Sequence, residues 1–177
     1  MSEDARVELR AYLPEDAAAT LAVFRRAIRV TAAGDYTPAQ IEAWASDDID
    51  GGDWAARRLA SATVVAVAEG RVVGFSDVDD SGCIDMLFVD PAVARRGVAS
   101  RLLESLGDGP RSVHASRTAR PFFERHGFVV VAEGRPITRG VELVNYVMER
   151  PAVGNSGSVP GDGPSPADPD DDSPHRT

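Results

Sequence analysis

The 177-residue chain contains no lysine; all 19 of its basic residues are arginine. The α-amino group is thus the one primary amine the sequence offers. A Walker phosphate loop, which needs a lysine, is excluded, and no G-x-G-x-x-G run marks a Rossmann site. Cysteine is nearly absent. Cys83 stands alone, so no disulfide forms within the chain and nothing argues for secretion. Long apolar runs are missing as well. "VVAVA" is far too short to cross a bilayer, and the opening "MSEDARVELR" has no apolar signal core. Positive charge is outweighed by negative, to a net −9, so neither nucleic acid nor an anionic membrane surface is an expected partner. These absences leave a cytoplasmic enzyme or binding module, with no metal site in the motifs.

The apolar fraction is 43%, ordinary for a soluble domain, and the length suffices for one real core. Residues 1–150 read as that domain. Residues 151–177, "PAVGNSGSVPGDGPSPADPDDDSPHRT", read as a disordered acidic tail, with five aspartates against Arg176. Such a composition cannot bury enough surface to offset its ordering entropy. A solvated appendage and an acidic docking arm both fit it.

Periodicity gives the order β-α-α-β-β-β-α-β-α-β-β. "VELRAYL" predicts a strand. "PEDAAATLAVFRRAIRVTA" predicts a helix, with Pro14 at its first position and Glu15 and Asp16 at its positive end. Thr37 and Gln40 make a capping-box pattern ahead of "AQIEAWA". "DWAARRLAS" predicts a further short helix. "ATVVAVAEG" and "RVVGFSDVDD" predict a hairpin closed at Glu69-Gly70. "GCIDMLFVD" predicts one buried strand, followed by a helix from Gly97 and the short strand "RSVHAS". "TARPFFERHGF" predicts a helix ending at Gly127, and "FVVVAEG" and "VELVNYVMER" two more strands. Cys83 to Ser116 is a strand–crossover helix–strand unit, whose strands should be parallel. The fold class is α/β: a mixed, mostly antiparallel sheet with a central parallel β-α-β unit and helices on both faces.

The stretch "DPAVARRGVASRLLESL" invites an anion. The first N–H groups of a helix lack intrahelical partners and carry partial positive charge. Gly97 permits close approach of a ligand to the backbone. Ala99 and Ser100 keep the first turn small, and Arg95 and Arg96 add charge. A pyrophosphate suits such a site; a solvated helix start with two surface arginines suits it too.

Taken with "IDMLFV" before it and "HAS" and "TARPFFERHGF" after it, this stretch resembles the GNAT (GCN5-related) family of acyl-CoA-dependent N-acetyltransferases. The family pattern [Q/R]-x-x-G-x-[G/A] falls on Ala94, Gly97 and Ala99, and "FFERHGF" matches its second signature. The likeness spans roughly residues 6–149. "DYTPAQIEAW", "GFSDV" and "NYVMER" are most similar to the small bacterial YafP-like branch.

The resemblance implies acetyl-CoA as co-substrate and a small-molecule or peptide amine as acceptor, in a monomer or homodimer. It places the pyrophosphate on the N–H groups of Arg95, Arg96, Gly97, Val98, Ala99 and Ser100. It lays the pantetheine arm along Leu87, Phe88 and Val89, in a gap between that strand and Val113–Ser116. The Val89 N–H would polarise the thioester carbonyl, Ser116 would face the pantetheine amide, and Phe123 the thiol end. Two positions depart from the family. Ala94 replaces its usual Gln or Arg. Phe123 replaces the tyrosine that often protonates the leaving thiolate; a phenyl ring has no proton to give.

Asp85 interrupts the apolar run "CIDMLFV". It could act as a base through water, pair with an arginine, or bind the substrate amine. Tyr146 is a candidate acid or substrate contact as well as a core residue. Tyr36 and Trp44 are candidates for the acceptor wall, as is Trp54; plain core packing is the stronger explanation of all three. His114 and His126 are weaker candidates, and Cys83 reads as a buried inert thiol. A non-catalytic acyl-CoA sensor and an acyltransferase preferring longer chains are the competing readings.

Overall fold

The computed structural model describes residues 6–152, so the expected tail lies outside the described residues but for Pro151 and Ala152. Strand β1 (Glu8–Ala11) leads through a single 3-10 turn at Pro14–Asp16 into α1 (Ala17–Arg26). Buried Asp16 fixes this entry. Its carboxylate takes both Arg10 guanidinium nitrogens, at 2.6 and 2.8 Å, and the Leu13 N–H at 2.9 Å. Arg10 holds that carboxyl below the ordinary range, against the opposing effect of burial.

The expected single helix does not continue regularly. Ala27–Thr31 wind as a π-helical turn, a wider form that periodicity does not reveal. Helix α2 (Pro38–Trp44) starts on the expected capping box: the Thr37 hydroxyl accepts the Gln40 N–H, and Gln40 Oε1 accepts the Thr37 N–H. Helix α3 (Gly51–Ala60) starts on Asp50, which accepts the Asp53 N–H at 2.8 Å.

Strands β2 (Ala62–Ala68) and β3 (Arg71–Val78) form the expected hairpin, with Glu69 and Gly70 at φ 50° and 73° in its turn. Two left-handed residues match the twist of the flanking strands. The next strand departs from expectation. Cys83–Asp90 is not one strand but two. Strand β4 (Cys83–Ile84) runs parallel to β6 (Arg111–Ser116), while β5 (Leu87–Val89) pairs antiparallel with β3.

Asp77 accounts for the break. It is fully buried, and its Oδ1 accepts the N–H groups of Asp85 at 3.2 Å and Met86 at 2.9 Å. Ser76 Oγ donates to the Met86 carbonyl at 2.9 Å. A side chain thus takes hydrogen bonds that a continuous ladder would give to backbone.

The crossing divides the strands between two four-stranded sheets. One has the order β1-β2-β3-β5 and the other β4-β6-β10-β7, where β7 is Val129–Gly134 and β10 is Asn145–Arg150. The mixed, mostly antiparallel arrangement with one parallel unit is as expected; the division is the correction. The last expected strand is also divided. Val141–Glu142 (β9) pairs with Ile137–Thr138 (β8) in a small hairpin that precedes β10.

Helix α4 (Val98–Ser105) joins the two sheets. Val98 and Leu102 pack with Ala66, Ala68 and Val73 of the first; Leu103 packs with Ile84 and Val113 of the second. Helix α5 (Arg120–Arg125) adds Phe123 to the second cluster. The other face of the first sheet holds Phe24, Ile28, Trp54, Val65 and Phe75. No helix among the described residues is long and apolar enough to cross a membrane.

Candidate functional site

Two cavities open where the sheets part. The larger, about 380 Å³, lies between the π-helical turn, β5, the start of α4 and the end of α5. Arg95 and Gly97 both hold left-handed backbone, at φ 63° and 75°. This kink delivers the chain into α4 with its first N–H groups free. A Cβ on Gly97 would meet no protein atom within 4 Å, so the space beside it is open to a ligand. Upstream, Asp90 accepts the Ala92 N–H at 3.0 Å and an Arg26 donor at 3.0 Å, which ties the loop to α1.

Strand β5 turns alternate backbone groups towards this cavity. The Asp90 N–H donates to the Val73 carbonyl at 2.8 Å, and the Asp77 N–H to the Met86 carbonyl at 3.1 Å. With Phe75 opposite Phe88, the antiparallel alternation points the Phe88 backbone groups at β3. Those of Leu87 and Val89 point away from β3, to the side where no strand pairs with β5. Phe88 therefore offers a ligand its ring and not its backbone.

Leu87, Phe88, Val89, Arg95, Gly97, Val98, Ala99, Ser100 and Ser116 all line the larger cavity. Arg96 does not; it is exposed beside the loop. Phe122, not singled out in the sequence, and His126, a weaker candidate there, line it from α5 and its C-terminal end. His126 Nδ1 lies 2.8 Å from the Phe122 carbonyl, an acceptor, so this nitrogen carries the proton. In the neutral ring Nε2 then accepts from the Ser100 hydroxyl, 3.0 Å away. The spacing of Phe122 and His126, one helical turn apart, was the signal available for placing them together.

The smaller cavity, about 240 Å³, lies on the other side of the gap, under α2 and the β8–β9 hairpin. Trp44, Leu87, Phe88, Ser116 and Ala119 border both cavities, so the two meet at the opening between β5 and β6. Asp85, His114, Tyr36 and Phe123 line the smaller one. Phe123 is 2% exposed, packed edge-on to Phe122 and Phe128.

Asp85 has an arginine partner. Arg58, only 1% exposed, donates to Asp85 Oδ2 at 2.9 Å and places its Nε 3.1 Å from Asp77 Oδ2, poorly aligned for a hydrogen bond. Burial pushes the Asp77 carboxyl up, against the pull of Arg58 and the Met86 N–H. The Asp85 side chain remains 62% exposed.

Two expected substrate or catalytic groups are otherwise engaged. The Tyr36 hydroxyl donates to the Val144 carbonyl at 2.8 Å and accepts the Arg117 N–H at 2.9 Å. Burial raises its pKa, and its ring, not its hydroxyl, is what it has to offer the cavity. Tyr146 lines neither cavity. Its ring lies 4.6 Å from the Arg120 guanidinium carbon and packs on the second cluster, so the catalytic expectation for Tyr146 is withdrawn. Trp54 lies in the core, donating to the Thr20 hydroxyl. Among the described residues, no three His, Cys, Asp or Glu side chains gather to hold a metal ion.

Comparison with known proteins gives consistent matches. The acetyltransferase (GNAT) domain model matches residues 32–150. The N-acetyltransferase YafP of Escherichia coli K12, described as uncharacterised, is 43% identical over 145 residues, 80% of this chain and 94% of that protein. A GCN5-related N-acetyltransferase from Rhodopseudomonas palustris superposes with a TM-score of 0.78 at 36% identity, covering 81% of this chain and 94% of that one. The PaiA N-acetyltransferase of Thermoplasma acidophilum, solved with coenzyme A, shares the fold at a TM-score of 0.64 and 19% identity, over 82% and 99% of the two chains.

Proposed function

The chain belongs to the GNAT acetyltransferase family, and from that premise we propose that it moves an acetyl group from acetyl-CoA to a primary amine by direct attack. The observation that carries this reading is the meeting of two cavities at the gap between β5 and β6, one suited to each substrate. The PaiA protein, of the same fold, is solved with coenzyme A.

The free N–H groups from Arg95 to Ser100, with the Arg95 side chain, suit the pyrophosphate. The outward backbone groups of Leu87 and Val89 suit the pantetheine amides. That leaves the thioester beside Ser116 and Phe88, where the second cavity begins. The Val89 N–H, with no partner on β3, is the donor for charge that develops on the thioester oxygen.

The amine nitrogen bonds to the carbonyl carbon, the carbon–sulfur bond breaks, and the electron pair leaves on sulfur. The ammonium proton passes to water or through water to Asp85. Positioning supplies most of the rate. No side chain at position 123 protonates the thiolate, and a thiol pKa of roughly 8.5 makes unassisted departure workable.

Calorimetry with acetyl-CoA tests the first half of this reading, using the wild type beside Gly97→Glu. Micromolar binding that the variant loses is the expected result, because its carboxylate falls where the phosphates sit. Equal binding by both proteins would overturn the phosphate assignment.

A further inference from the structure

We propose, resting on the acetyl-transfer reading above, that the acceptor is a small cationic amine carried on an apolar or aromatic body that has no carboxylate or other anionic group. The charge facing the smaller cavity is the first ground. Asp85 is the one carboxylate among its lining residues, and no arginine lines it. The arginines nearby are committed elsewhere. Arg58 is buried behind Asp85, Arg117 lies over the Tyr36 ring at 5.9 Å, and Arg139 donates to the Ala43 carbonyl at 3.0 Å.

An ammonium entering this space meets Asp85, whose Oδ1 has no hydrogen-bond partner among the described residues while Oδ2 is held by Arg58. An anionic group entering it loses its water and finds no cation in return. His114, on the same face as Asp85 by the Ile84–Val113 register, is the remaining titratable group there besides the engaged Tyr36.

The walls give the second ground. Trp44, Phe88, Phe123 and Leu143 supply aromatic and aliphatic surface, with Trp44 and Phe88 edge-to-face at 6.3 Å. Aromatic faces attract an ammonium as well as an apolar body. The size is the third ground. A cavity of about 240 Å³ is smaller than the usual drug-sized pocket of about 300–1,000 Å³. That size suits a small molecule.

The test uses the full chain with acetyl-CoA at pH 8 and follows thiol release. Three amines are compared: 2-phenylethylamine, phenylalanine, which adds only a carboxylate, and ethanolamine, which lacks the apolar body. The expected kcat/KM for 2-phenylethylamine exceeds that of each of the others at least tenfold; a smaller ratio overturns the proposal. Asp85→Asn, which keeps an oxygen acceptor for Arg58 and is checked for an unchanged melting temperature, is expected to raise the KM for 2-phenylethylamine about tenfold and to leave acetyl-CoA affinity alone. An unchanged KM removes Asp85 as the ammonium site and overturns the charge argument. If calorimetry shows acetyl-CoA bound but 2-phenylethylamine is not acetylated, the acceptor class is wrong. If acetyl-CoA does not bind at all, the acetyl-transfer reading itself fails.

Discussion

The Asp77 carboxylate accepts the Met86 N–H at 2.9 Å, while the Asp77 N–H donates to the Met86 carbonyl at 3.1 Å. One residue thus closes both ends of a two-residue handshake, once with its backbone and once with its side chain. The exchange lets the chain step from one sheet to the other and opens the gap on which both cavities depend.

Asp77→Ala is expected to cost about 3–5 kcal/mol, since it leaves the buried Arg58 charge with Asp85 as its one remaining carboxylate and orphans two N–H groups. Asp77→Asn keeps an acceptor for those N–H groups and is expected to cost less. Urea unfolding of both variants measures the difference. A midpoint for Asp77→Ala equal to wild type would show that something else holds the step.

Gly97→Ala separates stability from binding. No protein atom stands within 4 Å of the added methyl, so the only intrinsic cost is the left-handed backbone, roughly 1–2 kcal/mol. Thermal melting is expected to fall by a few degrees, while the acetyl-CoA Kd rises at least tenfold because the methyl stands in the ligand's place. Proportionate small losses in both would mean that the ligand does not approach this glycine.

The legibility of the sequence follows a physical line. Features fixed by neighbours in the chain were readable: the Thr37–Gln40 box, the Glu69-Gly70 turn, the helix that begins after Gly97. The step at Asp85–Met86 was not, because its cause is Asp77 on another strand. Apart from Asp85, the run "CIDMLFV" is apolar on both sides of the break, since each half is buried or partly buried in a different layer. Asp85 was the visible irregularity, and its meaning required Arg58, 27 positions away. The β8–β9 hairpin was missed for a local reason. Its turn residues are Arg139 and Gly140, at φ 48° and 77°, where Asn-Gly or Asp-Gly would have announced it. In the site, the helix start was legible from pattern, and the Leu87–Val89 segment from the family resemblance. The pairing of His126 with Ser100 was not, because Ser100 sits on a different helix.

Acid sensitivity is expected to have one source at Asp16. Arg10 lowers its folded-state pKa below the unfolded value of roughly 3.9. The folded state therefore binds this proton less readily than the unfolded state does. The stability it gives is fully present above that unfolded value and is lost as pH falls through the folded one. Asp16→Asn should be less stable than wild type at pH 7 and should close the gap as pH drops below about 4. Urea midpoints at pH 7 and pH 3 check this; a constant gap would exclude Asp16 as the titrating group.

Phe123→Tyr places a phenol at the position where the family resemblance implies one. If thiolate departure limits turnover, kcat at pH 7 should rise roughly tenfold or more. The gain should shrink above pH 9, where the thiolate leaves unaided. No gain at pH 7, in a variant with an unchanged melting temperature, would show that departure is not limiting.

Helix α4 serves as the keystone between two arches. Successive residues, Leu102 and Leu103, enter the cores of different sheets, and the same helix begins at the expected phosphate seat. A ligand bound at its first turn therefore loads the piece that holds both halves together. Occupancy should raise the melting of the two sheets in step, as one cooperative unit, and not of the cleft alone.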